Sequence, residues 1–209
     1  MIEQILYEKE TSILLIKQGK RTDIVIGAPH HTLGGVANMP CKEHTDGDEN
    51  TGFIAKSVAQ IIDASFVIAC NYQIDPNKKL TTDYASHIIK WNPKYLIEIH
   101  GHGARNIGDD VIEISSGNTE RNELSTNFAG ILKSKMIKYE SLKNYRVCGD
   151  FNFIRFQAKK SATITHNAWL PIHIELPPSI RKNKENLLPD FISDFNACLA
   201  ETILEIKKN

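Results

Sequence analysis

Tyr95-Leu96-Ile97-Glu98-Ile99-His100-Gly101-His102-Gly103 is the stretch that decides the fold. Its first half is apolar and partly β-branched, the composition of a short buried strand. Its second half sets two histidines among glycines, which let a backbone turn sharply and approach a ligand closely. Outward from here the same pattern recurs. Residues 23–27 form a second apolar strand that runs into Ala28-Pro29-His30-His31. Proline cannot donate to a ladder, so the strand is expected to stop there and leave both histidines in a loop at its carboxyl end.

Helical periodicity fills the gaps between strands. Ile54, Val58, Ile61 and Ile62 recur at helical spacing, as do Ala85, Ile88 and Ile89 before Asn92-Pro93. Leu124, Phe128, Ile131, Leu132 and Met136 mark a third helix, and Ile192, Phe195, Leu199, Ile203 and Ile206 a last one, with Pro189 near its first turn. Further strands are expected at 12–17, 66–70, 111–115, 145–148, 162–165 and 172–176, and Gln18-Gly19-Lys20-Arg21 reads as a hairpin turn joining 12–17 to 23–27. Strands interleaved with helices indicate an α/β fold, a three-layer αβα sandwich around a mixed, mostly parallel sheet. No repeat or linker divides residues 1–209, which are read as one domain. In such sheets ligands collect at the carboxyl ends of strands, where His30 and His100 fall.

Composition narrows the function classes. Lys and Arg number 25 against 25 Asp and Glu, so no general field draws the chain to nucleic acid or an anionic membrane. The apolar runs are far too short to span a bilayer, and Met1-Ile2-Glu3-Gln4-Ile5 lacks the marks of a secretory leader. Cys41, Cys70, Cys148 and Cys198 are scattered without a C-x-x-C and are expected to be reduced in a cytoplasmic protein. Eight histidines are the one excess.

Two histidines and a carboxylate with an open position suit a catalytic Zn²⁺ ion, and other divalent transition metals could use the same set. His30 and His100 supply the imidazoles; the run Glu43-His44-Thr45-Asp46-Gly47-Asp48-Glu49-Asn50-Thr51 offers carboxylates at the start of a helix. Glu98 shares a strand face with His100 and could orient its ring. In Ile172-His173-Ile174-Glu175, Glu175 is an acid on an apolar strand, either a general base or a partner of Arg155 or Arg181. Asn77 and Lys78, in the turn Asp75-Pro76-Asn77-Lys78, are candidate substrate contacts. His31, His102 and His173 are candidates to line the site; His44, His87 and His166 have no patterned context. No P-loop, Rossmann fingerprint or G-x-S-x-G elbow is present.

The ordered set Ala28-Pro29-His30, Asp46-Gly47-Asp48-Glu49-Asn50-Thr51, Asp75-Pro76-Asn77, Ile97-Glu98-Ile99-His100-Gly101 and Ile172-His173-Ile174-Glu175 resembles the N-formylglutamate amidohydrolase family, itself similar to zinc carboxypeptidases. The resemblance spans roughly residues 23–181. It implies one zinc ion on His30, His100 and either Asp48 or Glu49, with Asp48 preferred, and Glu175 as base. It also implies Arg105, Arg155 or Arg181 as the grip on a substrate carboxylate, for which a guanidinium is geometrically suited. The implied partner is a small carboxylate-bearing amide, N-formylglutamate-like. Related activities on this fold are peptide-end and poly-γ-glutamate hydrolysis, and a catalytically silent carboxylate binder is the alternative from another class. This chain has Lys78 where the family commonly has arginine, and His31 where a small residue is common.

Overall fold

The computed structural model describes residues 4–8 and 12–207; Met1, Ile2 and Glu3, part of the stretch read as lacking a leader, lie outside them. The fold is α/β, with one mixed, mostly parallel sheet between helices. Its strands are β1 (Gln4–Glu8), β2 (Ser12–Lys17), β3 (Arg21–Thr32), β4 (Asp48–Glu49), β5 (Ala64–Cys70), β6 (Tyr95–Gly101), β7 (Val111–Ser115), β8 (Arg146–Cys148) and β9 (Leu170–Leu176). They lie in the order β1-β2-β5-β3-β6-β9-β7-β8, with β4 added to the end of β3. Strands β5, β3, β6 and β9 are parallel; β2 and β7 run antiparallel to their inner neighbours.

The helices are α1 (Thr51–Ile62), α2 (Asp83–Trp91), α3 (Asn122–Met136), α4 (Ala162–Thr165), α5 (Pro178–Arg181) and α6 (Ile192–Ile206). Ile54 and Val58 of α1, Phe128 and Leu132 of α3, and Phe195 and Leu199 of α6 share one core with Ile26, Ile97 and Ile174 of the sheet. Tyr84 and Ile88 of α2 build a second core on Val25, Val67 and Leu96. The alternation along each strand sends Val25 to one core and Ile26 to the other, which is why these strands read as continuous apolar runs. No helix among the described residues is long and apolar enough to cross a membrane.

Three expectations are corrected. Residues 18–20 are not a hairpin turn, because β5 lies between β2 and β3 and pairs with both. The connection instead arches over the start of β5, where Gly19 N–H donates to Ser65 Oγ (3.1 Å) and a Cβ on Gly19 would stand 2.3 Å from the Ala64 carbonyl carbon. Nor does Pro29 end its strand. β3 runs on to Thr32, and the proline falls where pairing with β5 shifts register between Ala28 and His31, a bulge that needs no donor from it. Residues 162–165, expected as a strand, are the short helix α4, whose N-cap Ser161 accepts from Ile164 N–H.

Candidate metal centre

The chain goes from β3 through α1 outward to β5, then back over β3 through α2 to β6. β3 and β6 are therefore neighbours whose outgoing connections diverge, the switch point at which α/β sheets form a crevice. His30 stands at the carboxyl end of β3 and His100 at that of β6, both buried, their rings 5.1 Å apart edge to face. β4 pairs in parallel with His31 and Thr32, which brings Asp48 beside them.

Side chains alternate along a strand, so Asp48 and Glu49 face opposite ways. Asp48 Oδ2 lies 3.5 Å from His30 Nδ1 and 3.4 Å from His100 Nδ1. Glu49 turns away: its carboxylate accepts from Gly35 N–H (2.8 Å) and pairs with Lys182. His30 Nδ1 and Asp48 Oδ2 are buried and have no hydrogen-bond partner among the described residues. Four-coordinate zinc with bonds near 2.1 Å separates its ligand atoms by about 3.4 Å. The donor atoms present fit that ion in type and spacing, and two of the three lack other partners.

Behind each ring stands a second carboxylate. His30 Nε2 is 3.0 Å from Asp75 Oδ1, and His100 Nε2 is 3.3 Å from Glu98 Oε2. Such bonds leave Nδ1 of each ring free for an ion. Glu98, fully buried, also accepts from Tyr84 Oη (3.0 Å) and Asn77 Nδ2 (3.1 Å), while Asp75 Oδ2 accepts from Lys78 Nζ (3.0 Å). Burial opposes charge on His100, but Asp48 and Glu98 outweigh it and push the ring up to about 10. His30 is raised against the same opposition by Asp48 and Asp75. Burial disfavours charge on Asp48 and Asp75 too, yet the neighbouring rings, and Lys78 at Asp75, hold both below the usual carboxylate range.

Glu175 is the register partner of His100 on β9. His173 Nε2 lies 3.3 Å from its Oε1, and its Oε2 is buried without a hydrogen-bond partner among the described residues. Burial and the nearby His100 lower the basicity of His173, which keeps that ring neutral. Glu175 has no ion pair with either arginine. The Arg181 guanidinium is spent on three carbonyls, of Leu176 (3.1 Å), Glu49 (3.1 Å) and His102 (3.0 Å), so it knits the site's edges together. Arg155 is exposed and donates from Nη1 to the Arg105 carbonyl (3.3 Å). Its backbone N–H and that of Phe156 are held by the buried Glu113 carboxylate on β7.

The other sequence candidates divide cleanly. Asn77 is buried in support of Glu98, and Lys78 is half-exposed beside Asp75. His102 is structural: Nε2 donates to the Val111 carbonyl (2.8 Å) and Nδ1 accepts from Ala104 N–H (3.0 Å). His31 packs edge-on against Phe53 of α1, and burial lowers it to about 4. Two residues were missed. Asp75, in sequence part of a turn and of the motif set behind the resemblance, has no role assigned there, and His44, without patterned context, stacks on His30 with centroids 3.8 Å apart. No local signal marks His44; Asp75-Pro76-Asn77 at a strand end was the available hint for Asp75.

Two recesses, of about 350 and 550 Å³, meet over the centre at His44, His100, Arg155, Phe156 and Glu175. The first is walled also by Lys78, Lys159 and Lys160, the second by Arg105 and Lys182. Among the described residues Arg105, Arg155, Lys159 and Lys160 have no carboxylate partner, so cationic groups stand on both sides of the centre.

No protein-family model matches this sequence, and no curated protein matches it. Solved structures do match its fold. A bacteriophage poly-γ-glutamate hydrolase superposes with a TM-score of 0.66 at 12% identity, over 97% of this chain and 93% of that one. The N-formylglutamate amidohydrolase from Ralstonia eutropha JMP134 gives 0.57 at 10% identity over 95% and 97%. An N-acetylmuramoyl-L-alanine amidase from Clostridium difficile 630 gives 0.52 at 16% over 91% and 99%. Likeness along nearly the whole of each chain at such identities establishes the fold: this chain has the α/β architecture on which these three amide-cleaving enzymes are built.

Proposed function

We propose that this protein is a zinc-dependent amidohydrolase that cleaves the amide of a carboxylate-bearing substrate, of the N-formyl- or N-acyl-amino-acid type. The observation that carries this reading is the convergence of His30 Nδ1, Asp48 Oδ2 and His100 Nδ1, each ring backed by its own buried carboxylate. Bound there, zinc supplies Lewis-acid activation of water and of the scissile carbonyl. Glu175 takes the water's proton at its unpartnered Oε2 and returns it to the leaving nitrogen, while His173 holds the other oxygen. Arg155, clamped by Glu113 through its backbone, grips the substrate carboxylate, with Arg105 beside it. Lys78 serves Asp75 first, and Arg181 serves the backbone.

A second reading, a hydrolase of γ-linked glutamyl chains, is favoured by the cationic recesses on both sides of Glu175. In either case the partner is an anionic amide, with no nucleic acid or membrane. Purified protein should hold one zinc per chain and hydrolyse N-formyl-L-glutamate or γ-glutamyl oligomers. His100→Ala should lose both metal and turnover; Glu175→Gln should keep the metal and lose about 10²-fold or more in kcat. Turnover that survives exhaustive chelation overturns the proposal.

A further inference from the structure

Residues 37–47, between β3 and β4, fold back on themselves. Asn38 bridges Asp46 in antiparallel sense, Met39 N–H donates to the Thr45 carbonyl (2.8 Å), and Gly47 N–H donates to the Ala37 carbonyl (2.7 Å). Met39 and Cys41 are buried and anchor the excursion. It delivers His44 flat onto His30, with the rings 16° from parallel. His44 remains half-exposed, and its ring nitrogens have no hydrogen-bond partner among the described residues. With His100, Arg155, Phe156 and Glu175 it lies where the two recesses meet, so it borders the space in which a substrate would reach Glu175.

Beyond the polarisation that a bound ion would supply, amide hydrolysis has use at this junction for a hydrogen-bond donor that the residues already assigned do not give. As water adds to the amide carbon, charge gathers on the carbonyl oxygen, and an oriented N–H aimed there lowers the barrier. Glu175, as a carboxylate, can only accept a hydrogen bond. His100 is turned to Asp48 and Glu98. Arg155 is committed to the substrate carboxylate. An imidazole in either neutral form carries one N–H, and that of His44 is unclaimed.

We propose that His44 is a catalytic residue that donates a hydrogen bond to the carbonyl oxygen of the scissile amide. The inference rests on the amidohydrolase reading and adds to it a donor that complements Glu175: one residue takes the proton, the other steadies the oxygen. The stack on His30 and the backbone ties of 37–47 hold the ring in place before substrate arrives, which is what makes such a donor effective.

Two variants of the zinc-loaded protein test this. His44→Phe keeps a flat ring to stack and removes the donor; His44→Gln keeps a donor and removes the ring. Both should retain zinc with wild-type affinity in competition against a chromophoric chelator. His44→Phe should lower kcat on the better of N-formyl-L-glutamate and γ-glutamyl oligomers by about 10²–10³-fold with KM little changed, and His44→Gln should recover part of the loss. A phosphinate analogue of the γ-glutamyl amide, whose anionic oxygen occupies the carbonyl's place, should bind His44→Phe weaker by a similar factor in calorimetry, while glutamate binds both proteins alike. Wild-type turnover and phosphinate affinity in His44→Phe overturn the inference, as does a loss of zinc like that of His100→Ala, which would make His44 a ligand. If the wild type cleaves neither substrate, the amidohydrolase reading fails and takes this inference with it; if the wild type cleaves and His44→Phe matches it in turnover and phosphinate affinity, only the inference fails.

Discussion

Zinc binding to this protein should release two protons at pH 6. Five side chains form one buried row, Asp75, His30, Asp48, His100 and Glu98, in which carboxylate and imidazole alternate at 3.0–3.5 Å. In the protein without an ion, His30 titrates above the ordinary value of 6.5 and His100 at about 10, so both rings are charged at pH 6. Three carboxylates against two imidazolium rings leave one net negative charge. A divalent ion among two neutral rings and the same carboxylates leaves one as well, so the exchange of two protons for zinc leaves the buried charge unchanged. That equality is the basis for expecting two protons per ion. Two protons per ion make zinc affinity rise about 100-fold per pH unit, or about 2.7 kcal/mol. The slope falls to about tenfold per unit once His30 has titrated, and flattens near pH 10. Calorimetry in buffers of different ionisation enthalpy, with chelator-stripped protein, reads the proton count directly. A count near zero at pH 6, or an affinity independent of pH between 6 and 8, would mean neutral rings in the ion-free protein and would refute the alternating row.

Three other outcomes follow from the same geometry. Glu98→Gln keeps the volume but removes the charge behind His100 and should weaken zinc binding by about 10–100-fold, measured by chelator competition; unchanged affinity would detach Glu98 from the centre. Gly101→Ala places a Cβ 2.3 Å from the Arg181 guanidinium carbon, displacing three buried hydrogen bonds. About 3 kcal/mol should be lost in urea unfolding, and a neutral result would mean that the guanidinium is held elsewhere. Because His100 is raised in the folded, ion-free protein, its contribution is present in full below pH 6.5 and lost as pH climbs to about 10. The Tm of chelated protein should therefore fall across that window and that of zinc-loaded protein should fall less; parallel curves would contradict it.

The parts of this molecule that were legible in its sequence are those set by local periodicity. The apolar runs that became β5, β6, β7 and β9 stand out because each is buried on both faces, and α1, α2, α3 and α6 because each turns one stripe to the sheet. What failed depends on partners distant in the chain. Gln18-Gly19-Lys20-Arg21 has good turn chemistry, and nothing within it reports that β5 will insert between its flanking strands. Pro29 has a breaker's chemistry, yet a bulge uses its missing donor without ending the strand. Asp48 and Glu49 are indistinguishable as adjacent acids, and only the pairing of β4 with β3 gives them opposite faces.

The same distinction explains why His30, His100 and Glu98 could be named as candidates while Asp75 and His44, which pack on His30, could not. His30 and His100 sit at strand ends, a position visible in sequence, and they meet because the crossovers from β3 and toward β6 pass in opposite directions across the sheet. Asp75 and His44 reach His30 from two excursions, one after β5 and one before β4, whose paths depend on contacts made after the sheet has formed. The centre is thus assembled from four separate segments that only the completed sheet brings together, and its buried carboxylates would repel one another without the rings or an ion between them. Metal binding and folding would consequently be linked: an ion that bound the assembled row and had no such row in the unfolded chain would stabilise the sheet's crevice by its own binding free energy.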